Sequence, residues 1–231
     1  MIDTDAFHRL KNQVEASGAR LIAVSKTKPV EAIKELYELG HRDFGENRAA
    51  EMAMKFEQLP KDIRWHMIGH LQRNKVKQIA PFVHTIHAVD SMRLLREINK
   101  RAKDNKRVIN CLLQFHIAEE ESKYGLDNEE GKSMMREWHH QSENDEAVEG
   151  ETFGAKPVGV MGMATYTDNA TQIEREFAQL ADSFQMLKRE YYPDRPDFCE
   201  LSMGMSGDFS LALDAGSTMV RIGSLIFGAR G

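Results

Sequence analysis

Lys26 follows directly on the apolar run LIAVS (21–25). A lysine at the lip of such a run is partly desolvated. Desolvation disfavours the ammonium form, and a neutral amine is what attacks an aldehyde. The same position also suits a lysine that snorkels to water or pairs with an acid. Two Gly/Ser-rich stretches lie far downstream, SMGMSGD (202–208) and AGSTMVRIGS (215–224). Glycines let a backbone approach a ligand closely, and hydroxyl groups donate to phosphate oxygens. Arg221 stands between Val220 and Ile222, and a fixed charge inside an apolar segment needs a partner. That partner is either a facing acid, with Glu46 the candidate, or the nitrogen of a pyridine ring, and the two are compatible. An amine near one end of the chain and two anion-type loops near the other suit a small molecule carrying an aldehyde and a phosphate.

The elements that must position these groups alternate in type. LIAVS is a short apolar run without polar alternation, as expected of a strand buried on both faces. Similar runs recur at 41–44 (ending at Gly45), WHMIG (65–69), VHTIHAV (83–89), RVINCLLQFHI (107–117), PVGVMGM (157–163), FCELSMG (198–204) and MVRIG (219–223). Helical spacing fills the intervals: 3–17, 30–39, a segment reaching about 58, a short basic helix with Val76 and Ile79, and 128–142. Asp90 and Ser91 offer an N-cap for a helix bearing Leu94, Leu95 and Ile98. Asp168 offers one for the clearest helix, whose Ile173, Phe177, Leu180, Phe184 and Leu187 form a core-facing stripe. Eight strands with intervening helices predict an α/β fold, one (β/α)8 TIM-barrel domain over 1–231. A doubly wound open sheet is the alternative, and the strand count of eight favours the barrel. SENDEAVEGETFGAK (142–156) is acidic and reads as a flexible surface loop. In a barrel, functional groups gather at the C-terminal ends of strands, with phosphate sites after strands seven and eight. Lys26 and both Gly/Ser stretches fit that rule.

Composition narrows the classes. The net charge of −5 argues against a general nucleic-acid binder, which needs a basic face. The polar start MIDTDAFHRLKNQ is no signal peptide, and no apolar stretch approaches the length of a membrane span. Cys111 and Cys199 have no metal-ligand spacing and read as free thiols in a reducing compartment, so a cytoplasmic protein is expected.

Several motifs resemble one family. AVSKTKP (23–29), FGENR (44–48), WHMIGHLQRNK (65–75), SKYG (122–125), GVMGMA (159–164), LSMGMSGD (201–208) and GSTMVRIGSLIFGAR (216–230) are similar, in order, to those of the pyridoxal 5'-phosphate (PLP) homeostasis proteins. That family's barrel is similar to the N-terminal domain of alanine racemase. The resemblance implies that Lys26 forms a Schiff base with PLP. It implies that Ser206 or Ser202, Thr218 and the Gly223–Ser224 backbone hold the phosphate, and that Arg221 faces the pyridine nitrogen. Asn47, with His66 or Met203, would line the ring, and Lys123 would be a secondary PLP site. His70 and Arg73 stand in a motif that is often GPLQSNK, and the acidic loop is longer than in some relatives.

PLP binding does not by itself make an enzyme, since the protein decides whether the cofactor's electron sink is used. An arginine at the pyridine nitrogen keeps that nitrogen unprotonated and weakens the sink. A racemase also needs a base on each face of the substrate carbon. Lys26 serves one face, no candidate for the other is evident, and the second domain of alanine racemases is not expected here. The sequence therefore favours a PLP carrier or buffer, with no strong catalysis, over a PLP-dependent amino-acid racemase. Expected partners are PLP and PLP-dependent apo-enzymes, with no nucleic acid and no membrane, for a monomer or weak dimer. A metal enzyme is the remote third reading. His66/His70 and His84/His87 invite it, but no HExxH pattern occurs. Met161, Met163, Met203 and Met205 read as deformable packing around a ring. Arg73, Lys75 and Lys77 read as a solvated helix face, or as a dock for an acidic partner.

Overall fold

The apolar runs fold as parallel strands. A computed structural model describes residues 2–120, 124–144 and 154–228. Along the chain lie α1 (Thr4–Ala16), β1 (Arg20–Val24), α2 (Val30–Glu38), β2 (Asp43–Glu46), α3 (Ala49–Gln58) and β3 (Arg64–Met67). A 3-10 turn (Arg73–Lys75) leads into α4 (Val76–Ile79), β4 (Thr85–Val89), α5 (Met92–Asp104), β5 (Val108–Gln114) and α6 (Asn128–Asn144). Then come β6 (Gly154–Met161), α7 (Ala170–Tyr191), β7 (Glu200–Ser202), α8 (Phe209–Asp214), β8 (Met219–Ile222) and α9 (Ser224–Phe227). The strands pair in sequence order, all parallel, and β8 closes on β1 from Arg20↔Met219 to Ala23↔Ile222. The (β/α)8 barrel expected from the sequence is the fold observed.

Two apolar layers hold it. Leu21 and Ala23 of β1 join the large layer between strands and helices, whereas Ile22 turns inward to a small cluster with Ala88, Leu112, Val158, Met161 and Met219. Both faces of the strand are dry, which is why its sequence shows no polar alternation. The stripe of α7 is buried as expected, each such side chain contributing roughly 1.5–3 kcal/mol.

The structure corrects several details. Asn169, not Asp168, caps α7, its side chain accepting from the Gln172 N–H. Ser91 stands at the N-cap of α5 but makes no capping bond, its hydroxyl donating instead to Asp90. The expected loop at 142–156 is shorter at both ends, because α6 runs to Asn144 and Gly154 already pairs with Val108. Positions 145–153 lie outside the described residues. β6 also tolerates Pro157, which has no N–H to give. The ladder slips there, Cys111 pairing with Pro157 and Leu112 with Gly159.

Buried histidines make this fold acid-sensitive. His41 sits edge-on to Phe7 and Phe44 with ring centroids 5.6 and 5.2 Å away, and is 4% exposed. Burial pulls its pKa down to about 4, and that of His84 to about 4 as well. Fully enclosed His87 lies well below the usual histidine range, again through burial. The unfolded chain therefore binds more protons than the native one from about pH 6.5 downward, and stability falls as pH falls through that window. His41 alone accounts for a loss on the order of 2 kcal/mol by pH 5. Glu46, whose pKa burial raises, works in the opposite direction but is one group against three. Denaturant titrations at pH 7.5 and pH 5 should show the drop, and equal stability at both would contradict neutral burial of these rings.

Candidate functional site

At the C-terminal end of the barrel a cavity of about 620 Å³ opens among the loops. The segment after β1 contributes Lys26, Thr27 and Lys28, and the β2 end contributes Asn47. The loop after β6 contributes Met163 to Asp168. The β7 and β8 loops contribute Met205 to Asp208 and Gly223 to Leu225, and Arg221 reaches the lining from within β8.

The backbone around Lys26 is gripped from below. Lys55 of α3, 1% exposed, donates to Ser25 O (2.8 Å), Glu46 Oε1 (2.7 Å) and Glu51 Oε1 (2.7 Å). Ser25 Oγ donates to Glu46 Oε1 at 2.6 Å, and Glu51 accepts the Thr27 N–H at 2.6 Å. Thr27 adopts φ +64°, a left-handed conformation that a β-branched residue takes only under constraint. The two residues flanking Lys26 are thus tied to one Lys–Glu–Glu cluster built on buried Lys55 and Glu46. Burial pushes the Glu46 carboxyl up, against the pull of Lys55 and Ser25, and its Oε2 has no hydrogen-bond partner. Glu46 therefore pairs with Lys55, not with Arg221 as one sequence expectation had it. Lys28 is committed to Phe227 O at 3.1 Å.

The β7 and β8 loops meet where Ser206 Oγ accepts the Gly223 N–H at 3.4 Å. Gly204 makes the turn possible: its φ is +93°, and a Cβ there would come within 2.5 Å of the Ala212 side chain. Asn47 is approached as closely, since a Cβ on Gly69 would lie 2.6 Å from Asn47 O.

The structure sorts the expected site residues into those it brings together and those it does not. Lys26, Asn47, Ser206, Arg221, Gly223 and Ser224 share the cavity. Ser202 does not line it: it is buried in β7 and receives Arg221 Nη1 at 2.6 Å. His66 is fully buried in β3, bonded to Asp43 and His87, and Met203 packs in the outer apolar layer. Neither lines the cavity; Ile68, Met163 and Met205 do. Thr218 is at the wrong end of β8. It precedes the strand, and its hydroxyl donates to Glu200 and accepts the Leu201 N–H, each bond 2.8–2.9 Å. Lys123 lies outside the described residues. Arg73, Lys75 and Lys77 are exposed.

Arg221 is 4% exposed. Burial lowers its pKa to about 10, opposed by the nearby Asp208 carboxylate, so the guanidinium stays charged. The histidine pairs that invited a metal reading separate: His66 bonds to His87 inside the barrel, while His70 pairs with Asp90 and stacks on Tyr124 at the surface. Among the described residues no three His, Cys, Asp or Glu side chains form a metal-binding group.

Sequence reasoning missed the Lys55–Glu51 support and, beyond Met163, the β6 loop. Thr165 there is fixed by Glu176, which accepts its N–H at 2.6 Å and its hydroxyl at 2.7 Å. The position of that loop, directly after a barrel strand, was the available signal.

The family described as alanine racemase, N-terminal domain, matches residues 2–231. The pyridoxal phosphate homeostasis protein of Aquifex aeolicus is 37% identical over 228 residues, covering 96% of this chain and 94% of that protein. PipY of Synechococcus elongatus, solved with PLP bound, superposes with a TM-score of 0.80 at 31% identity, covering 97% of this chain and 99% of its own. Alanine racemase of Bartonella henselae shares the fold, with a TM-score of 0.69 at 16% identity. It covers 97% of this chain and 59% of its own.

Proposed function

Because the chain belongs to the pyridoxal phosphate homeostasis protein family, within the alanine racemase N-terminal domain fold, we propose that it binds PLP in this cavity as part of PLP homeostasis. The observation that carries the reading is the lining itself, where a half-buried lysine, a buried guanidinium and two joined Gly/Ser loops face one space. PLP brings an aldehyde, which a neutral amine attacks, and a phosphate, which hydroxyl and amide donors hold. Lys26 is the residue assigned to the aldehyde. Ser206 and the Gly223–Ser224 backbone are assigned to the phosphate, Asn47 and the apolar Ile68, Met163 and Met205 to the ring, and Arg221 to the ring nitrogen. Thr218 and Ser202 have other partners and are left out of the phosphate set.

The role is that of a carrier or buffer that passes PLP to apo-enzymes, as a monomer or weak dimer in the cytoplasm. Cys111, buried, and Cys199, exposed, are both free thiols, in keeping with a reducing setting. No helix among the described residues is long and apolar enough to cross a membrane.

Phosphate recognition supplies the test. The protein should retain PLP far better than pyridoxal, which lacks the phosphate. Ser206→Ala should weaken PLP retention by about 0.5–1.5 kcal/mol, or up to ~3 if a charged oxygen is left unpaired. Equal retention of PLP and pyridoxal is incompatible with the assignment. Loaded protein mixed with a PLP-requiring apo-enzyme should restore its activity; a chain that never releases PLP is a store only.

A further inference from the structure

Arg221 is anchored from inside the barrel by a line of buried groups that the pocket itself does not use. Its Nη1 donates to Ser202 Oγ at 2.6 Å and its Nη2 to Gly162 O at 2.9 Å. Ser202 Oγ lies 3.0 Å from His87 Nδ1, His87 Nε2 3.0 Å from His66 Nδ1, and His66 Nε2 3.0 Å from Asp43 Oδ1. Ser202, His87 and His66 are fully buried. β4 and β7 are not neighbours in the barrel, so the His87–Ser202 bond crosses the lumen. At the far end Arg64, whose side chain is 43% exposed, grips the Asp43 carboxylate.

Chemistry at the two ends orders every proton between them. A guanidinium only donates, and an ionised carboxylate only accepts. Burial works to raise the Asp43 pKa, but the Arg64 and His66 hydrogen bonds prevail and hold it well below the usual carboxylate range. His66 Nε2 must therefore carry hydrogen. With one hydrogen on each ring, His66 Nδ1 accepts from His87 Nε2, and His87 Nδ1 accepts from the Ser202 hydroxyl. The Ser202 oxygen is left as an acceptor for Arg221. Every bond in the line then points from Arg221 toward Asp43. A second hydrogen on His66 would reverse the middle bonds, turning His87 Nδ1 into a donor toward the oxygen that Arg221 already uses. The Ser202 hydroxyl proton would then need another acceptor.

We propose that Asp43, His66, His87 and Ser202 are positioning residues for Arg221, a one-way line of hydrogen bonds through the barrel lumen that fixes which guanidinium donors face the ring of the bound cofactor. The assignment rests on the PLP reading above for the identity of that ring, and on the four bonds alone for the line. Asp43, His66 and His87 do not line the cavity, so they act only through Ser202 and Arg221.

The first test needs no cofactor. In the PLP-free protein labelled with nitrogen-15 histidine, at about pH 8 where ordinary histidines are neutral, His66 and His87 should both carry hydrogen on Nε2 and none on Nδ1. Hydrogen on Nδ1 of either ring overturns the line. The second test uses PLP-loaded protein. Ser202→Ala should keep the borohydride-fixed pyridoxyl label on Lys26, shift the visible absorbance of bound PLP, and speed PLP release about tenfold, the size of one lost hydrogen bond to a charged group. An unchanged spectrum and release rate in that variant overturn the positioning role even if the tautomers agree. If the parent protein captured no PLP at all, the functional reading would fall, while the tautomers would still decide the line.

Discussion

Replacing Lys26 with alanine is expected to abolish the Schiff-base absorbance of the PLP-loaded protein while leaving the fold intact. Lys26 lines the cavity and is only half-buried. Truncation at such a rim position, away from the core, costs roughly 1 kcal/mol or less of stability. PLP would keep only its noncovalent contacts with the β7 and β8 loops and Arg221. Borohydride treatment of the loaded parent, followed by peptide mapping, should place the pyridoxyl group on the peptide containing Lys26. Label found mainly on Lys28 or Lys123 would sink the assignment, and Lys28 is already bonded to Phe227 O. The same pair of proteins separates a carrier from a racemase. With alanine and a panel of other amino acids in deuterium oxide, the parent should show slow or no exchange at the α-carbon. Rapid exchange with racemisation, lost in Lys26→Ala, would replace the carrier reading with an enzymatic one.

The second large effect lies beneath the pocket. Lys55→Ala should destabilise the protein by about 3–5 kcal/mol, because it strands the carboxylate of Glu46 and the carbonyl of Ser25 in a buried site. Glu46 is fully buried, and Lys55 ties α3 to the β1 and β2 ends through Ser25 O and Glu46 while also holding Glu51, which accepts the Thr27 N–H. Adding Glu46→Gln to Lys55→Met should recover a large part of the loss, since a neutral pair leaves no buried charge. The strained Thr27 backbone gives the prediction a functional side. Without the cluster, Thr27 has less reason to hold φ +64°, and PLP capture should slow even at temperatures where the variant is folded. A loss under about 1 kcal/mol would show that the cluster is not the support described.

The sequence made the barrel legible because doubly buried strands leave an unmistakable mark, a short apolar run with no polar alternation. Position after a strand then pointed to Lys26 and to the last two loops. The errors have a common geometry. AGSTMVRIGS reads as one small-residue stretch, yet β8 runs through it. Thr218 enters the strand at one end and Gly223 leaves it at the other, roughly 17 Å away at ordinary strand rise. Ser202 and Ser206 differ likewise: one is inside β7, the other beyond it. Glu46 is a candidate acid for Arg221 in the sequence, since a charge inside an apolar strand needs a partner. Its true partner, Lys55, sits on a helix whose pattern reads as an ordinary amphipathic surface, and only the fold brings it over the β1 end. The bond between His87 and Ser202 spans 115 positions, and no local pattern encodes such a crossing.

Closure of the barrel has a consequence for how the chain comes to hold a ligand at all. Arg20 pairs with Met219, roughly 200 residues apart, so the contact that seals the barrel is among the most distant in the chain and costly in loop entropy. Until β8 docks, β1 and β7 each present an open edge able to pair with another chain. Lys26 follows just after the first strand, whereas Ser206 and Gly223 belong to the last two loops. A nascent or cut chain that stops short of β8 carries the amine and Ser206 but lacks Arg221 and the Gly223–Ser224 backbone that completes the groups assigned to the phosphate. Ligand capture is therefore a property of the finished barrel, and it reports completion of synthesis and folding as much as affinity.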